Sequence, residues 1–218
     1  MSKKTWFYLG FFVLLLGVFY LVLFWGTDLW RKKLPTVSEV KEFVFVNQFG
    51  DTVTNREVTG KVQVVEFFFT TCTGICPKMN TNMAIIASDF ANEDDFMILS
   101  HTVDPEKDSV GRLKVYADSL KIDGKRWMLL TGTKEKLYEA ARKSYLLDDQ
   151  NNNKEAIEDQ FIHTQLFALV DRSGRVRGIY DGLNKKELTK LDEDIRLVLR
   201  ESYDGPRFVN GIFQNSPN

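Results

Sequence analysis

The feature that most constrains the fold is an apolar run that ends in a pair of cysteines. Val62–Phe69 (VQVVEFFF) is rich in β-branched and aromatic residues, which predicts a strand buried on both faces of a sheet. Cys72 and Cys76 follow this run, and Pro77 comes directly after the second cysteine. Because proline is favoured in the first turn of a helix, both sulfurs should lie where a central strand passes into a helix N-terminus. Free N–H groups and the helix dipole stabilise a thiolate at such a position.

The cysteine pair itself points to chemistry rather than to packing. Cys72 and Cys76 are the only cysteines among the 218 residues of the chain. The plain alternatives are two buried, unreactive thiols or a structural disulfide. A disulfide between them would close so short a loop that chain entropy would stabilise the fold little. The pattern therefore favours cysteines that are kept for a redox or ligand role.

A second apolar run lies near the N-terminus. Trp6–Trp25 contains 20 residues without a charged side chain and has aromatic residues at both ends. A helix of that length spans roughly 30 Å, which is the thickness of a bilayer core. Gly26–Asp28 makes a poor signal-peptidase site, and the uniform apolarity of the run argues against a buried core helix. We therefore expect an uncleaved, single-pass membrane anchor.

Strands and helices alternate along the rest of the chain. We expect strands at 43–46, 52–54, 62–69, 96–103, 127–130, 166–170 and 176–180, and helices at 77–90, 109–120, 134–145 and 188–199. The alternation predicts βαβ units and a largely parallel sheet, to which the closing hairpin adds antiparallel strands. Together with a CxxxC sequence at the end of the first long strand, it indicates an α/β fold. The predicted architecture is a thioredoxin-like sandwich of a mixed, largely parallel sheet with helices on both faces.

The predicted domain organisation follows from these elements. We divide the chain into a membrane anchor (1–28), a charged linker (29–42), a thioredoxin-like domain (43–200) and a loosely ordered tail (201–218), with an exposed polar loop at 148–159. The formal net charge of −1 and the pI near 6.2 give no electrostatic reason to expect a nucleic-acid partner.

Three motifs together resemble the Sco/SenC family of copper-binding proteins. They are Phe67–Met79 (FFFTTCTGICPKM), Thr102–Asp108 (TVDPEKD), and His163 followed by Leu166–Val176 (LFALVDRSGRV). The similarity covers roughly residues 43–200. Members of this family are thioredoxin-like domains on a single membrane anchor, associated with assembly of the binuclear copper centre of cytochrome c oxidase.

The resemblance implies a set of site residues. By position, Cys72, Cys76 and His163 would be the metal ligands, and Asp104 matches the family's acidic position after the second long strand, as a second-shell residue. The family usually has an aspartate directly before the histidine, where this chain has Ile162.

Two thiolates and one imidazole suit copper. Soft sulfur selects Cu(I), and imidazole accommodates Cu(II). A three-ligand site that is open on one side can release its metal, whereas a structural zinc site normally has four ligands. Because the ligands must be deprotonated, copper binding should weaken as the pH falls.

The remaining histidine and the methionines near the cysteines are of types that can bind metals, but we interpret them as parts of the core. His101 lies within the second buried strand and is interpreted as a core histidine whose hydrogen bonds are satisfied. Met79 and Met83 have helical spacing, which favours core packing over a thioether ligand. The sequence leaves open whether Asp104 and Asp108 tune the site or hold a loop.

Two functions follow. The first is a membrane-tethered copper chaperone, not an enzyme, that serves the copper-binding subunit of cytochrome c oxidase or another copper protein. The alternative is a thiol–disulfide oxidoreductase in which Cys72 and Cys76 are catalytic and reduce the cysteines of a target protein. A peroxidase of the thioredoxin superfamily is a weaker interpretation, because no arginine lies close to the cysteines in the motif.

The predicted location is a bacterial inner membrane, with the domain facing the periplasm. Lys3 and Lys4 before the anchor oppose Arg31, Lys32 and Lys33 after it, so the positive-inside rule does not settle the orientation. An oxidising or copper-exposed compartment suits the cysteine chemistry and favours an external domain. The apolar run follows the first residues directly, which leaves no room for an Arg-rich transit peptide.

Overall fold

The chain forms two compact units, which we describe separately. The structure, a computed structural model, describes residues 2–25, 33–149, 156–157, 160–162 and 164–203. The first unit, Met1–Lys33, holds the helix α1 (Lys3–Trp25). Within the described residues, α1 is the one helix long and apolar enough to cross a membrane, with a mean hydropathy of 2.1 over Lys3–Val22. This judgement rests on length and composition.

The second unit, Leu34–Asn218, is built on an eight-stranded sheet. Its strands are β1 (Ser38–Glu39), β2 (Val44–Asn47), β3 (Thr52–Thr54), β4 (Val62–Phe68), β5 (Phe96–Thr102), β6 (Trp127–Thr131), β7 (Leu166–Val170) and β8 (Arg175–Asp181). Its helices are α2 (Asn55–Val58), α3 (Cys76–Asp89), α4 (Val110–Ser119), α5 (Lys134–Glu139) and α6 (Lys185–Leu199), and a π-helical segment, Ala140–Ser144, continues α5. The strands lie in the order β1-β8-β7-β4-β5-β6-β2-β3.

The sheet is mixed, as predicted, but the expectation that it is largely parallel is wrong. Among the strands that the structure describes, only β4 with β5 and β5 with β6 pair in parallel. The other five pairings are antiparallel, because two hairpins, β2–β3 and β7–β8, extend the parallel centre on opposite sides. The antiparallel entry of β7 beside β4 depends on a contact between distant segments, which local patterns do not encode.

The central strand β4 is buried on both faces, which explains its continuous apolar character. Val64 and Phe68 pack into one core with α3, α4 and α6. Val65 and Phe67 point to the opposite face and pack into a second core with α5 and its π-helical continuation. Helices therefore cover both faces, as predicted.

The helices of this unit begin where the sequence places capping residues. Ser109, Thr133 and Asn184 each accept a hydrogen bond from a backbone N–H in the first turn of α4, α5 and α6, respectively. α3 lacks a side-chain cap and has Pro77 in its first turn instead. The N–H of Cys76, the first residue of α3, therefore has no side-chain cap and meets the sulfur of Cys72.

The second half of the predicted linker belongs to the folded unit. β1 pairs with β8, so that Ser38 lies opposite Val176 at the sheet edge. The buried guanidinium of Arg177 donates to the carbonyl of Leu34 at 2.6 Å and forms an ion pair with Asp171 at 2.9 Å. The compact unit therefore begins at Leu34, nine residues before the domain boundary predicted from the sequence at residue 43. Most of the predicted loop at 148–159, and nearly all of the tail at 201–218, lie outside the described residues.

Candidate metal and thiol site

The two cysteines lie at the turn between β4 and α3. After β4 ends at Phe68, the carbonyl of Phe69 accepts a hydrogen bond from the N–H of Cys72 at 3.2 Å. α3 begins at Cys76, whose N–H donates to the Sγ of Cys72 at 3.4 Å. Both thiols are free. The sulfurs therefore lie at the mouth of a helix, where the sequence places them.

The two thiols have opposite acidities. Partial burial opposes ionisation of Cys72, but hydrogen bonds from the Cys76 thiol and from the N–H groups of Cys76, Gly74 and Ile75 outweigh it and lower the pKa of Cys72. Burial raises the pKa of Cys76 to about 12, and the hydrogen bond that its thiol gives to Cys72 adds to the shift. Cys72 is the partly exposed, acidic thiol, and Cys76 is the buried partner that donates to it.

Alkylation should show this difference directly. At pH 7.5 we expect iodoacetamide to modify Cys72 at least about tenfold faster than Cys76, because only thiolate reacts and Cys76 is both protonated and covered. Timed quenching followed by peptide mass spectrometry measures both rates in one sample. In concentrated urea the two rates should become equal, and equal rates in the folded chain would contradict the assignment.

A cavity of about 380 Å³ opens beside the two sulfurs. It is lined by Phe67, Phe68, Phe69, Thr71, Cys72, Thr73, Gly74, Ile75, Cys76, Val103, Ile162 and Thr164. His163 lies outside the described residues, but its two neighbours in the chain, Ile162 and Thr164, line this cavity. The structure thus brings the segment that carries the predicted histidine to the same cavity as the cysteines.

A buried carboxylate holds the chain just before Cys72. Oδ2 of Asp108 accepts hydrogen bonds from the N–H of Thr70 at 3.1 Å and from the hydroxyl of Thr102 at 2.6 Å. Oδ1 of Asp108 accepts from the hydroxyl of Thr70, and the hydroxyl oxygen of Thr70 in turn accepts from Nε of Arg112 at 2.6 Å. Asp108 therefore ties the cysteine turn to the end of β5 and to α4. Of the two roles that the sequence left open for this residue, the structure shows it holding a loop.

The carboxylate of Asp104 makes none of these contacts with the cysteine turn. Its carboxylate accepts from Nζ of Lys107 at 3.0 Å, and its backbone N–H donates to the hydroxyl of Thr102. It is not among the residues that line the cavity. A second-shell role for Asp104 stays a prediction.

His101 is a core residue, as predicted. The further prediction, that its hydrogen bonds are satisfied, is wrong for the described residues. The ring is fully buried and stacks on Phe67, with Phe45 edge-on and Tyr145 tilted against it. Neither ring nitrogen has a hydrogen-bond partner of normal geometry among the described residues. Burial lowers the pKa of His101 to about 3, so the ring is neutral.

Met79 and Met83 are buried in the first core, as predicted.

β4 also carries a carboxyl group into the core, on the face against which α3 packs. Oε1 of Glu66 accepts from the hydroxyl of Ser100 at 2.6 Å, and the Ser100 oxygen accepts from Nε1 of Trp127 at 2.8 Å. Oε2 of Glu66 has no hydrogen-bond partner among the described residues. Burial raises the pKa of Glu66 to about 7. Its charge is one of the causes that raise the pKa values of Cys76 and Tyr116.

Two residues near the site, Glu66 and Phe161, are not among those predicted from the sequence. Glu66 is the one charged residue in the run Val62–Phe69, and this interruption was an available signal. Phe161 packs its ring edge-to-face on Phe69, at 4.9 Å between centroids and 89° between planes. The local sequence around Phe161 does not predict this contact, because Phe69 is distant in the sequence. Within the described part of the chain, no group of three His, Cys, Asp or Glu side chains is close enough to hold a metal ion.

Comparison with known proteins decides the family. The SCO1/SenC family model matches residues 31–199. The SCO1 protein homolog of Bacillus subtilis (strain 168) is 33% identical over 166 residues, which cover 75% of this chain and 84% of that protein. This chain belongs to the SCO1/SenC family. The resemblance seen in the three sequence motifs is therefore confirmed.

Solved structures of SCO1/SenC proteins confirm the fold. BsSco, a Sco family cytochrome c oxidase assembly protein with an identified disulfide switch, matches with a TM-score of 0.66 and 30% identity, covering 78% of this chain and 100% of that chain. ScoI of Bradyrhizobium japonicum, whose structure has copper bound, matches with a TM-score of 0.59 and 22% identity, covering 74% of this chain and 99% of that one. At the latter identity the likeness shows the shared fold alone.

Proposed function

We propose that this SCO1/SenC chain is a membrane-tethered copper chaperone. The observation that carries the proposal is the cavity, because Cys72 and Cys76 line it together with both chain neighbours of His163. In the proposed site the two sulfurs and the imidazole of His163 bind one copper ion. Copper is the cargo of such a protein and leaves with the acceptor.

The residues present fit this cargo. Two sulfurs four residues apart, one at a helix N-terminus, offer a soft pair for Cu(I), and an imidazole extends the set to Cu(II). The turn that carries Cys72 is partly exposed, so one side of the site is accessible to an acceptor. Protons must leave the ligands when the metal binds, so acid should favour release.

The membrane and partner assignments extend the same proposal. The apolar helix α1 would anchor the chain in a bacterial inner membrane, with the domain on the periplasmic side. BsSco, to which the chain is similar, belongs to a family of cytochrome c oxidase assembly proteins. We therefore propose the copper-binding subunit of cytochrome c oxidase, or another copper protein, as the acceptor.

Metal analysis tests the proposal. The purified full-length chain in detergent, reduced and loaded with copper, should hold about one copper per chain, with sulfur ligands visible in X-ray absorption spectra. His163→Ala should lose Cu(II) binding and keep sulfur-ligated Cu(I), because the two thiolates remain. His101→Ala is the matched control, since His101 is buried in the second core and should leave the stoichiometry unchanged. Copper without sulfur ligation in the wild-type chain would refute the proposal.

The unequal thiols favour a second candidate function, thiol–disulfide exchange with a target protein. The Cys72 thiolate would attack a target disulfide, forming a mixed disulfide and releasing one target thiol. Cys76 would then lose its proton and attack the Cys72 sulfur, which releases the second target thiol and leaves a Cys72–Cys76 disulfide. This function needs both cysteines and no histidine. Trapping of a mixed disulfide by Cys76→Ser, with full turnover in His163→Ala, would favour it over metal delivery.

A further inference from the structure

The aromatic contact between Phe69 and Phe161 joins the two parts of the proposed copper site. Phe69 follows β4, and its carbonyl accepts the hydrogen bond from the N–H of Cys72. The backbone of Phe69 therefore contacts Cys72, while its ring packs against both cores of the domain.

Phe161 belongs to the segment that leads to His163 in the sequence. The carbonyl of Gln160 lies 3.0 Å from the hydroxyl of Tyr138, and its side chain accepts from Nη1 of Arg142 at 2.7 Å. These bonds fix the start of the segment to α5 and its π-helical continuation. Ile162 is buried and lines the cavity. The ring of Phe161 meets the ring of Phe69, which also lines the cavity.

Phe161 is poorly placed for a purely stabilising role. Its side chain is 39% exposed, so the ring buries less apolar area than a core phenylalanine does. An edge-to-face pair at 4.9 Å and 89°, by contrast, has a preferred geometry and resists sliding. The contact thus fixes where residues 160–162 lie relative to the cysteine turn, although the two aromatic residues are far apart in the chain.

We infer that Phe161 is a positioning residue: its contact with Phe69 holds residues 160–162 beside the cysteine cavity, and the proposed copper site depends on this placement. Phe161 itself touches no metal. The inference rests on the proposed copper function, in which the third ligand follows Ile162. It goes beyond that function by assigning the geometry of the site to an aromatic pair outside the ligand set.

Copper competition in the full-length chain tests the inference. Cu(II), added as copper sulfate to the reduced chain in detergent, is titrated against a chromophoric chelator. We expect Phe161→Ala to weaken Cu(II) binding about three- to tenfold, which corresponds to the usual contribution of one aromatic pair. Phe161→Tyr should retain the ring contact and bind within about twofold of the wild type. The imidazole nitrogen coupling in the electron paramagnetic resonance spectrum should weaken in the alanine variant alone.

The matched control is Phe49→Ala. Phe49 is 49% exposed and carries a Lys114 ammonium 5.7 Å from its ring centroid, in a part of the domain that does not line the cavity. It should leave Cu(II) affinity unchanged, and the alkylation rate of Cys72 should be the same in all variants. Equal Cu(II) affinities of Phe161→Ala and the wild type, or an equal loss in Phe49→Ala, would overturn the inference while leaving the proposed function intact. A wild-type chain without copper would instead refute the proposed function.

Discussion

Replacing Asp108 with alanine should lower the free energy of unfolding by about 3–5 kcal/mol. The change leaves the N–H of Thr70 and the hydroxyls of Thr70 and Thr102 without their acceptor in a site where Asp108 is fully buried. Hydrogen bonds to a buried carboxylate are among the strongest in proteins, and each orphaned donor adds a desolvation cost. Urea titration of the full-length chain in detergent, followed by near-ultraviolet circular dichroism, measures the loss.

The same change should also loosen the cysteine turn, because Thr70 precedes Cys72 by two residues. We expect the difference in alkylation rate between Cys72 and Cys76 to shrink in Asp108→Ala under conditions where the domain is still folded. Asp118→Ala is the matched control: Asp118 lies on α4, the helix that follows Asp108, with its carboxylate exposed and paired to Lys114. It should change the stability by less than about 0.5 kcal/mol. A similar loss in both variants would show that Asp108 does not hold the turn.

Replacing Glu66 with glutamine should make the domain more stable at pH 8 than the wild type, by about 3 kcal/mol. In the folded chain burial raises the pKa of Glu66 from 4.5 to about 7. The folded state therefore binds more protons than the unfolded state between these values, and the contribution of Glu66 to stability falls as the pH rises through this window. Glutamine keeps the shape and the acceptor for Ser100 without the ionisation.

The measurement is the difference in unfolding free energy between Glu66→Gln and the wild type at several pH values. This difference should be small at pH 4 and rise between pH 4.5 and 7. The wild-type values must be subtracted because His101 also makes the unfolding free energy depend on pH, in the direction opposite to Glu66. Its pKa falls from 6.5 to about 3 on folding, so its contribution is lost as the pH falls through that range. The charge of Glu66 also affects the pKa values of two side chains, Cys76 and Tyr116. Both pKa values are raised to about 12, so these two groups stay neutral throughout this pH range. A difference that does not vary with pH would contradict the buried-acid assignment.

Local patterns in the sequence were sufficient for the elements around the site. β4 and α3 lie within about one residue of their predicted bounds, because an apolar β-branched run and a proline in a first helical turn are local signals. The same holds for the apolar N-terminal helix and for Met79 and Met83 in the core. The family, too, could be recognised from three short motifs, since each preserves a fixed spacing of a few residues.

The sequence by itself thus determined the alternation of strands and helices, the position of the two sulfurs and the family. Only the tertiary structure decided that β7 runs antiparallel to β4, that Asp108 rather than Asp104 holds the cysteine turn, and that Phe161 meets Phe69. It also decided that Glu66 and His101 are buried with polar atoms that find no hydrogen-bond partner in the described part of the chain. These features depend on which distant segments become neighbours. A backbone pattern fixes the direction in which a side chain points, whereas its partner, its burial and hence its pKa are fixed by residues far along the chain.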